Sequence, residues 1–216
     1  MKIKSLFFDF DGVIADSVGC KTDAFREIYL SFGEDVASRV VVHHLNNGGV
    51  SRYEKFMYYH TKFLGKSINQ KELDALCKTF SNLVLDKVSE SDEIQGFTAF
   101  IREHGDKFNK WIITGTPTAE MNVILKRRKI DNLFVGAYGS PEKKLFWTEY
   151  IIDKYKLKRE EIAFLGDAKA DYKAAKNAGV KFVLHRSEAS GKFFDNKQCA
   201  EIDNFNSLWN LLKNLS

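Results

Sequence analysis

Two aspartates set two residues apart, Asp9 and Asp11, stand where the apolar run Leu6-Phe7-Phe8 gives way to Gly12. Alternate side chains of a strand point the same way, so both carboxylates can share one small space. Like charges that close resist joint ionisation unless a cation or a shared proton relieves them. Such a pair at the exit of a buried strand costs stability, which asks for a chemical reason. Other polar groups end similar runs. Thr114 closes Trp111-Ile112-Ile113, and Asp167 closes Ile162-Ala163-Phe164-Leu165-Gly166, with Asp171 four residues beyond. A lysine, Lys144 or its neighbour Lys143, lies in Gly139-Ser140-Pro141-Glu142-Lys143-Lys144, where a loop passes into a helix. Carboxylates in this number make a hard-oxygen site, which favours magnesium over zinc. A lysine, a hydroxyl and the N–H groups of nearby helix starts would hold an anion beside the metal.

The elements that must position these groups follow from periodicity. A stretch as apolar as Leu6-Phe7-Phe8 suits a strand covered on both faces, as in parallel sheets. From Gly96 onward the pattern alternates. It predicts strands at 111–115, 134–138, 162–166 and 181–184, between helices at 97–104, 121–128, 145–155, 171–179 and 208–215. Strand and helix in alternation imply an α/β fold with a doubly wound, Rossmann-like parallel sheet. Ligands of such sheets gather at the carboxyl ends of the strands, where the acids and Thr114 stand. Residues 17–88 read differently. Ser17 is placed to cap a helix running to about Gly33, and two more helices are predicted at 52–64 and 69–88. Arg39-Val40-Val41-Val42 fits a strand or a helix, and Asn46-Asn47-Gly48-Gly49 is a break. The expected organisation is therefore a catalytic core of residues 1–16 and 89–216, with residues 17–88 as an inserted helical domain. A mobile loop is expected near Ser187 to Asp195.

Composition narrows the class. The chain has 216 residues, 44% hydrophobic and 29% charged, with a net charge of +4. That suits an ordinary globular protein with no concentrated basic stripe for nucleic acid. The one dense basic run, Lys126-Arg127-Arg128-Lys129, ends a predicted helix and complements its dipole. Cys20, Cys77 and Cys199 form no C-x-x-C, so neither a disulfide framework nor a zinc knuckle is indicated. His43 and His44 are adjacent and poorly placed to share a metal, which favours structural roles. With no signal-peptide pattern and no apolar stretch of membrane-spanning length, a cytoplasmic setting without membrane contact is expected.

Taken in order, these motifs resemble the haloacid dehalogenase superfamily, and the resemblance covers nearly the whole chain. Asp9-Phe10-Asp11-Gly12-Val13 matches the first motif and Ile112-Ile113-Thr114-Gly115 the second. Lys144 matches the third, with Lys143 the alternative, and Gly166-Asp167-Ala168-Lys169-Ala170-Asp171 matches the fourth. The resemblance implies that Asp9 is a nucleophile on phosphorus and that Asp11 serves as acid and then base. It further implies that Thr114, Gly115 and Lys144 hold the phosphoryl oxygens. Mg2+ would sit on Asp9, Asp11 (through its backbone carbonyl), Asp167 and Asp171. The dehalogenases of this superfamily lack the second aspartate, so Asp11 points to oxygen esters. Residues 17–88 match the family's mobile cap. Within them, Gly49-Val50-Ser51-Arg52 is similar to a segment of β-phosphoglucomutase, which implies that Arg52 grips a distal phosphate. Lys21 and Leu145 stand where that relative has histidine and proline, which favours the phosphoglycolate phosphatase group. The expectation is an Mg-dependent phosphatase acting on a small phosphorylated metabolite. A sugar-phosphate mutase and a noncatalytic module binding a phospho-ligand or partner are the alternatives.

Overall fold

In the computed structural model, which describes residues 2–187, 190, 192–195 and 199–215, parallel strands form one sheet. The strands are β1 (Ser5–Phe8), β2 (Asn109–Pro117), β3 (Gly136–Ser140), β4 (Ile162–Gly166), β5 (Lys181–His185) and β6 (Ala200–Ile202). Their order across the sheet is β3-β2-β1-β4-β5-β6. The chain leaves β1 for β2 and β3 on one side, then returns to β4 on the other. That reversal sets the carboxyl ends of β1, β2 and β4 side by side.

Every residue of β1 is buried because both faces of the sheet are covered. Leu6 and Phe8 join one core cluster with Ile112 and with side chains of α5 (Phe97–His104), α6 (Thr118–Arg127) and α9 (Leu208–Asn214). Phe7 points the other way, edge-on to Trp111 at 5.5 Å and to Phe164 at 6.2 Å. Over that face lie Ile151 and Ile152 of α7 (Lys144–Tyr155) and Ala174 and Ala175 of α8 (Lys169–Asn177). Alternation along four residues thus seats a strand in two cores at once.

Besides α5, four helices separate β1 from β2: α1 (Val18–Leu30), α2 (Glu34–Asn46), α3 (Arg52–Phe63) and α4 (Gln70–Glu90). Their shared core is aromatic, with Phe25 4.3 Å from Phe80 and 5.4 Å from Phe56. The ambiguous Arg39–Val42 segment is helical. Ala37, Val40 and His44 fall on one buried face, so helical packing outweighs the β-propensity of three consecutive valines. Ser17 stands at the N-cap of α1, but its side chain accepts no capping hydrogen bond and is turned toward Asp11, to which its hydroxyl donates. β6 is unpredicted, being only three residues long, and β3 starts two residues later than periodicity suggests. Of the loop expected to be mobile, Glu188, Ala189 and Gly191 lie outside the described residues. Lys192–Phe194 forms a short 3-10 turn that buries Phe194. No helix among the described residues is long and apolar enough to cross a membrane.

β2 continues past an irregularity between Ile113 and Pro117, and Gly139 of β3 packs against that extension. Its N–H donates to the Thr118 hydroxyl at 2.8 Å, and its carbonyl accepts from the Trp147 indole at 2.8 Å. This fixes the passage into α7. A Cβ on Gly139 would lie 1.9 Å from the Thr116 carbonyl oxygen. Gly139→Ala should therefore cost about 1–3 kcal/mol through overpacking. Urea unfolding checks this, and an unchanged midpoint would show that the backbones are not so tightly opposed.

Candidate active site

The residue after β1 is Asp9, only 3% exposed. One carboxylate oxygen accepts the Phe10 N–H at 2.8 Å, and the other lies 2.8 Å from the Lys144 ammonium. Lys144 opens α7 and reaches across to Asp171 at 2.5 Å. Asp171 lies in the first turn of α8, where its second oxygen accepts the Ala168 N–H at 3.1 Å. Asp167 follows β4 directly. Carboxylate oxygens of Asp9, Asp167 and Asp171 lie within 4.8 Å of one another. Gly12, at φ +77°, makes room for them: a Cβ there would stand 2.4 Å from an Asp167 oxygen.

Three buried acids thus crowd together with a single lysine, which pairs with only two of them. Burial disfavours the Lys144 charge, but Asp171 and Asp9 outweigh it and raise its pKa, so the ammonium persists. The acids fare worse. Burial, then the charges of Asp9 and Asp171, pushes Asp167 well above the carboxylate range. Burial also lifts Asp171 to about 7 against the pull of Lys144. No donor among the described residues contacts the Asp167 carboxylate. An excess of hard, negatively charged oxygens around one undonated carboxylate fits magnesium.

Asp11 lies outside that three-acid cluster. Its carboxylate takes a salt bridge from Lys21 of α1, a hydrogen bond from Ser17 at 2.6 Å and another from the Thr116 hydroxyl at 3.3 Å. Lys21 also donates to Thr116 at 2.8 Å. Burial would raise Asp11, but the charge and hydrogen bond of Lys21, with Ser17, overcome it and hold it below its ordinary value.

The predicted break at 46–49 falls, apart from Asn46 at the end of α2, in the loop between α2 and α3, which lies across the strand ends. Gly49 meets Gly115, Ala170 and Lys144. Beside it is a cavity of 370 Å3 lined on the sheet side by Asp9, Asp11, Gly115 and Asp167, and on the helical side by Phe25, His44, Arg52 and Lys55. Thr114 and Lys144 line a neighbouring cavity of 350 Å3 that shares Gly115 and the loop. Thr114 is buried and its hydroxyl accepts the Thr116 N–H at 3.2 Å. Of the two lysines left open by the sequence, Lys144 is buried among the acids, while the Lys143 side chain is exposed. Arg52 lines the first cavity with its charge already engaged. Glu120 of α6 accepts from both terminal nitrogens at 2.5 and 2.8 Å, Ser81 accepts at 2.6 Å, and the Phe80 ring lies beneath.

Three contributors escape the motif pattern. Thr116 stands two residues beyond Thr114, a spacing that keeps a strand's side chains on one side. The hydroxyl of Ser17 reads from sequence as a cap. Lys55 follows Arg52 by three positions, so the two are neighbours on one helix face.

A model of haloacid dehalogenase-like hydrolases matches residues 6–185. The chain belongs to that family. It is 26% identical over 191 residues to a phosphoglycolate phosphatase of Pseudomonas putida, covering 82% of this chain and 67% of the relative. Among solved structures, β-phosphoglucomutase from Clostridium difficile superposes with a TM-score of 0.77 at 17% identity, covering 98% of each chain. A HAD-hydrolase from Bacillus subtilis bound to magnesium gives 0.69 at 16%, covering 99% of this chain and 100% of that one. At such identities the two structures speak for the fold alone. Family and fold agree with the sequence reading: this is an enzyme chain of a hydrolase family, with a Rossmann-like parallel sheet.

His44, buried in the cavity wall, accounts for one pH effect. Burial, then the charge of Lys55, pushes its imidazole from 6.5 down to about 2. Between those values the unfolded chain holds more protons than the folded one, so stability falls as pH drops below 6.5. His44→Gln should lose about 2 kcal/mol less stability than wild type between roughly pH 7.5 and 5. Denaturant titrations at the two pH values measure this, and equal losses would mean His44 is free to protonate in the fold.

Proposed function

We propose that the protein is a magnesium-dependent phosphatase that hydrolyses a small phosphorylated metabolite through an aspartyl-phosphate on Asp9. One observation carries the reading: Asp9, Asp167 and Asp171 converge within 4.8 Å around Lys144, beside a cavity that also takes in Asp11. The Pseudomonas relative, named as a phosphoglycolate phosphatase, supports the same chemistry.

An oxygen of Asp9 would attack phosphorus, forming an acyl phosphate as the ester oxygen departs. Asp11 would protonate that leaving oxygen and then take a proton from the attacking water. Held ionised by Lys21, Asp11 is ready for the second half; the first requires the Lys21 contact to loosen as substrate enters. Lys144 and Thr114, with the N–H of Gly115, would receive the phosphoryl oxygens as charge spreads over them. Asp9, Asp167, Asp171 and the main-chain carbonyl of Asp11 would hold magnesium, which when bound would offset charge between the acids and the phosphate.

Residues 17–88 would act as the cap and residues 1–16 and 89–216 as the core. The loop at 47–51 would exclude water when seated on the strand ends, as its contacts with Gly115 and Lys144 suggest. Arg52 would steady this closed form through Glu120, which joins α3 to α6.

Purified protein should release phosphate from members of a metabolite panel when magnesium is supplied and lose that activity on chelation. Asp9→Asn should cut turnover by about a thousandfold or more, with the thermal midpoint little changed. Full activity in Asp9→Asn would remove Asp9 as nucleophile. Formation of an isomeric sugar phosphate in place of free phosphate would point to a mutase.

A further inference from the structure

Four cations line the 370 Å3 cavity: Lys21, Arg52, Lys55 and Lys169. Asp11 answers Lys21, and Glu120 answers Arg52. Lys169 is exposed to solvent. Lys55 differs from all three. It is only 3% exposed, and it makes no ion pair among the described residues. Its hydrogen-bond partner is Nδ1 of His44 at 2.9 Å, and its ammonium lies 5.5 Å from the Phe25 ring centre. A neutral imidazole and an aromatic face satisfy a donor without supplying a countercharge. Burying an ammonium without one is costly. Burial, followed by repulsion from Lys21, accordingly lowers Lys55 from 10.5 to about 7. An anion lying beside it would reverse that shift.

We propose that Lys55, backed by His44, binds a second anionic group of the substrate across the cavity from the acid cluster. Substrates are then phosphomonoesters that also carry a carboxylate or a second phosphate, and not neutral sugar or alcohol phosphates. The proposal rests on the phosphatase reading. It moves the distal contact one helical turn along α3 from Arg52, whose terminal nitrogens Glu120 and Ser81 already occupy.

Three esters test it: phosphoglycolate, ethanediol bisphosphate and 2-hydroxyethyl phosphate, the last being the neutral counterpart of the first. Wild type should prefer one or both anion-bearing esters. Lys55→Met should lower that preference, taken as the ratio of kcat/KM values, by about tenfold or more, chiefly through KM. Lys55→Arg should restore part of it. The favoured ester tells carboxylate from phosphate. A purely structural lysine would lower all three values alike, and that outcome, or a wild-type preference for the neutral ester, overturns the proposal. If wild type hydrolyses none of them, the phosphatase reading fails separately. Calorimetric titration with phosphoglycolate then decides the subsite: weaker binding to Lys55→Met supports it, and equal or absent binding to both proteins overturns it.

Discussion

One buried ammonium organises the site. Lys144 touches Asp9 and Asp171 at once, and Asp167 completes a set of acids that a single lysine does not neutralise. In a water-poor interior such an imbalance is severe, because charges there are screened little. The rest of the fold creates and tolerates it. A sheet covered on both faces removes the solvent, the strand reversal at β1 and β4 gathers the carboxylates, and Gly12 leaves space for them.

A second layer of charge lies on the helical side and follows another logic. There, two of the three buried cations meet an acid across an element boundary: Lys21 of α1 with Asp11, and Arg52 of α3 with Glu120 of α6. The first pair ties α1 to the end of β1 and holds Asp11 ionised, and the second ties α3 to α6. Lys55 breaks the pattern, since its neighbour is a histidine held neutral. The cavity therefore has a wall of surplus negative charge on one side and one uncompensated cation on the other. That polarity matches a metal-assisted phosphoryl group at the first wall and an anion at the second.

Much of this was legible in the order of residues. Runs such as Leu6-Phe7-Phe8 and Ile162-Ala163-Phe164-Leu165 report buried strands because alternation is lost when both faces are covered. The polar residues closing those runs mark the strand ends. What escaped was nonlocal. The valines at 40–42 speak for a strand until the aromatic core beside them exists. Ser17 reads as a cap because Asp11 becomes its partner only through the turn at Gly12. Arg52 matches a binding motif, but nothing local announces its ion pair with Glu120, 68 residues away. Lys55 is unremarkable on a helix until its surroundings are known to be dry.

The central claim is that the acid cluster holds more negative charge than Lys144 balances and is built for one hard divalent cation. Calorimetric titration of the protein with Mg2+ tests it most directly, with Asp167→Asn as the comparison. One ion bound per chain, accompanied by a higher thermal midpoint and both lost in the variant, is the result this account predicts. Equal Mg2+ binding by wild type and Asp167→Asn, or no binding to wild type, would contradict it.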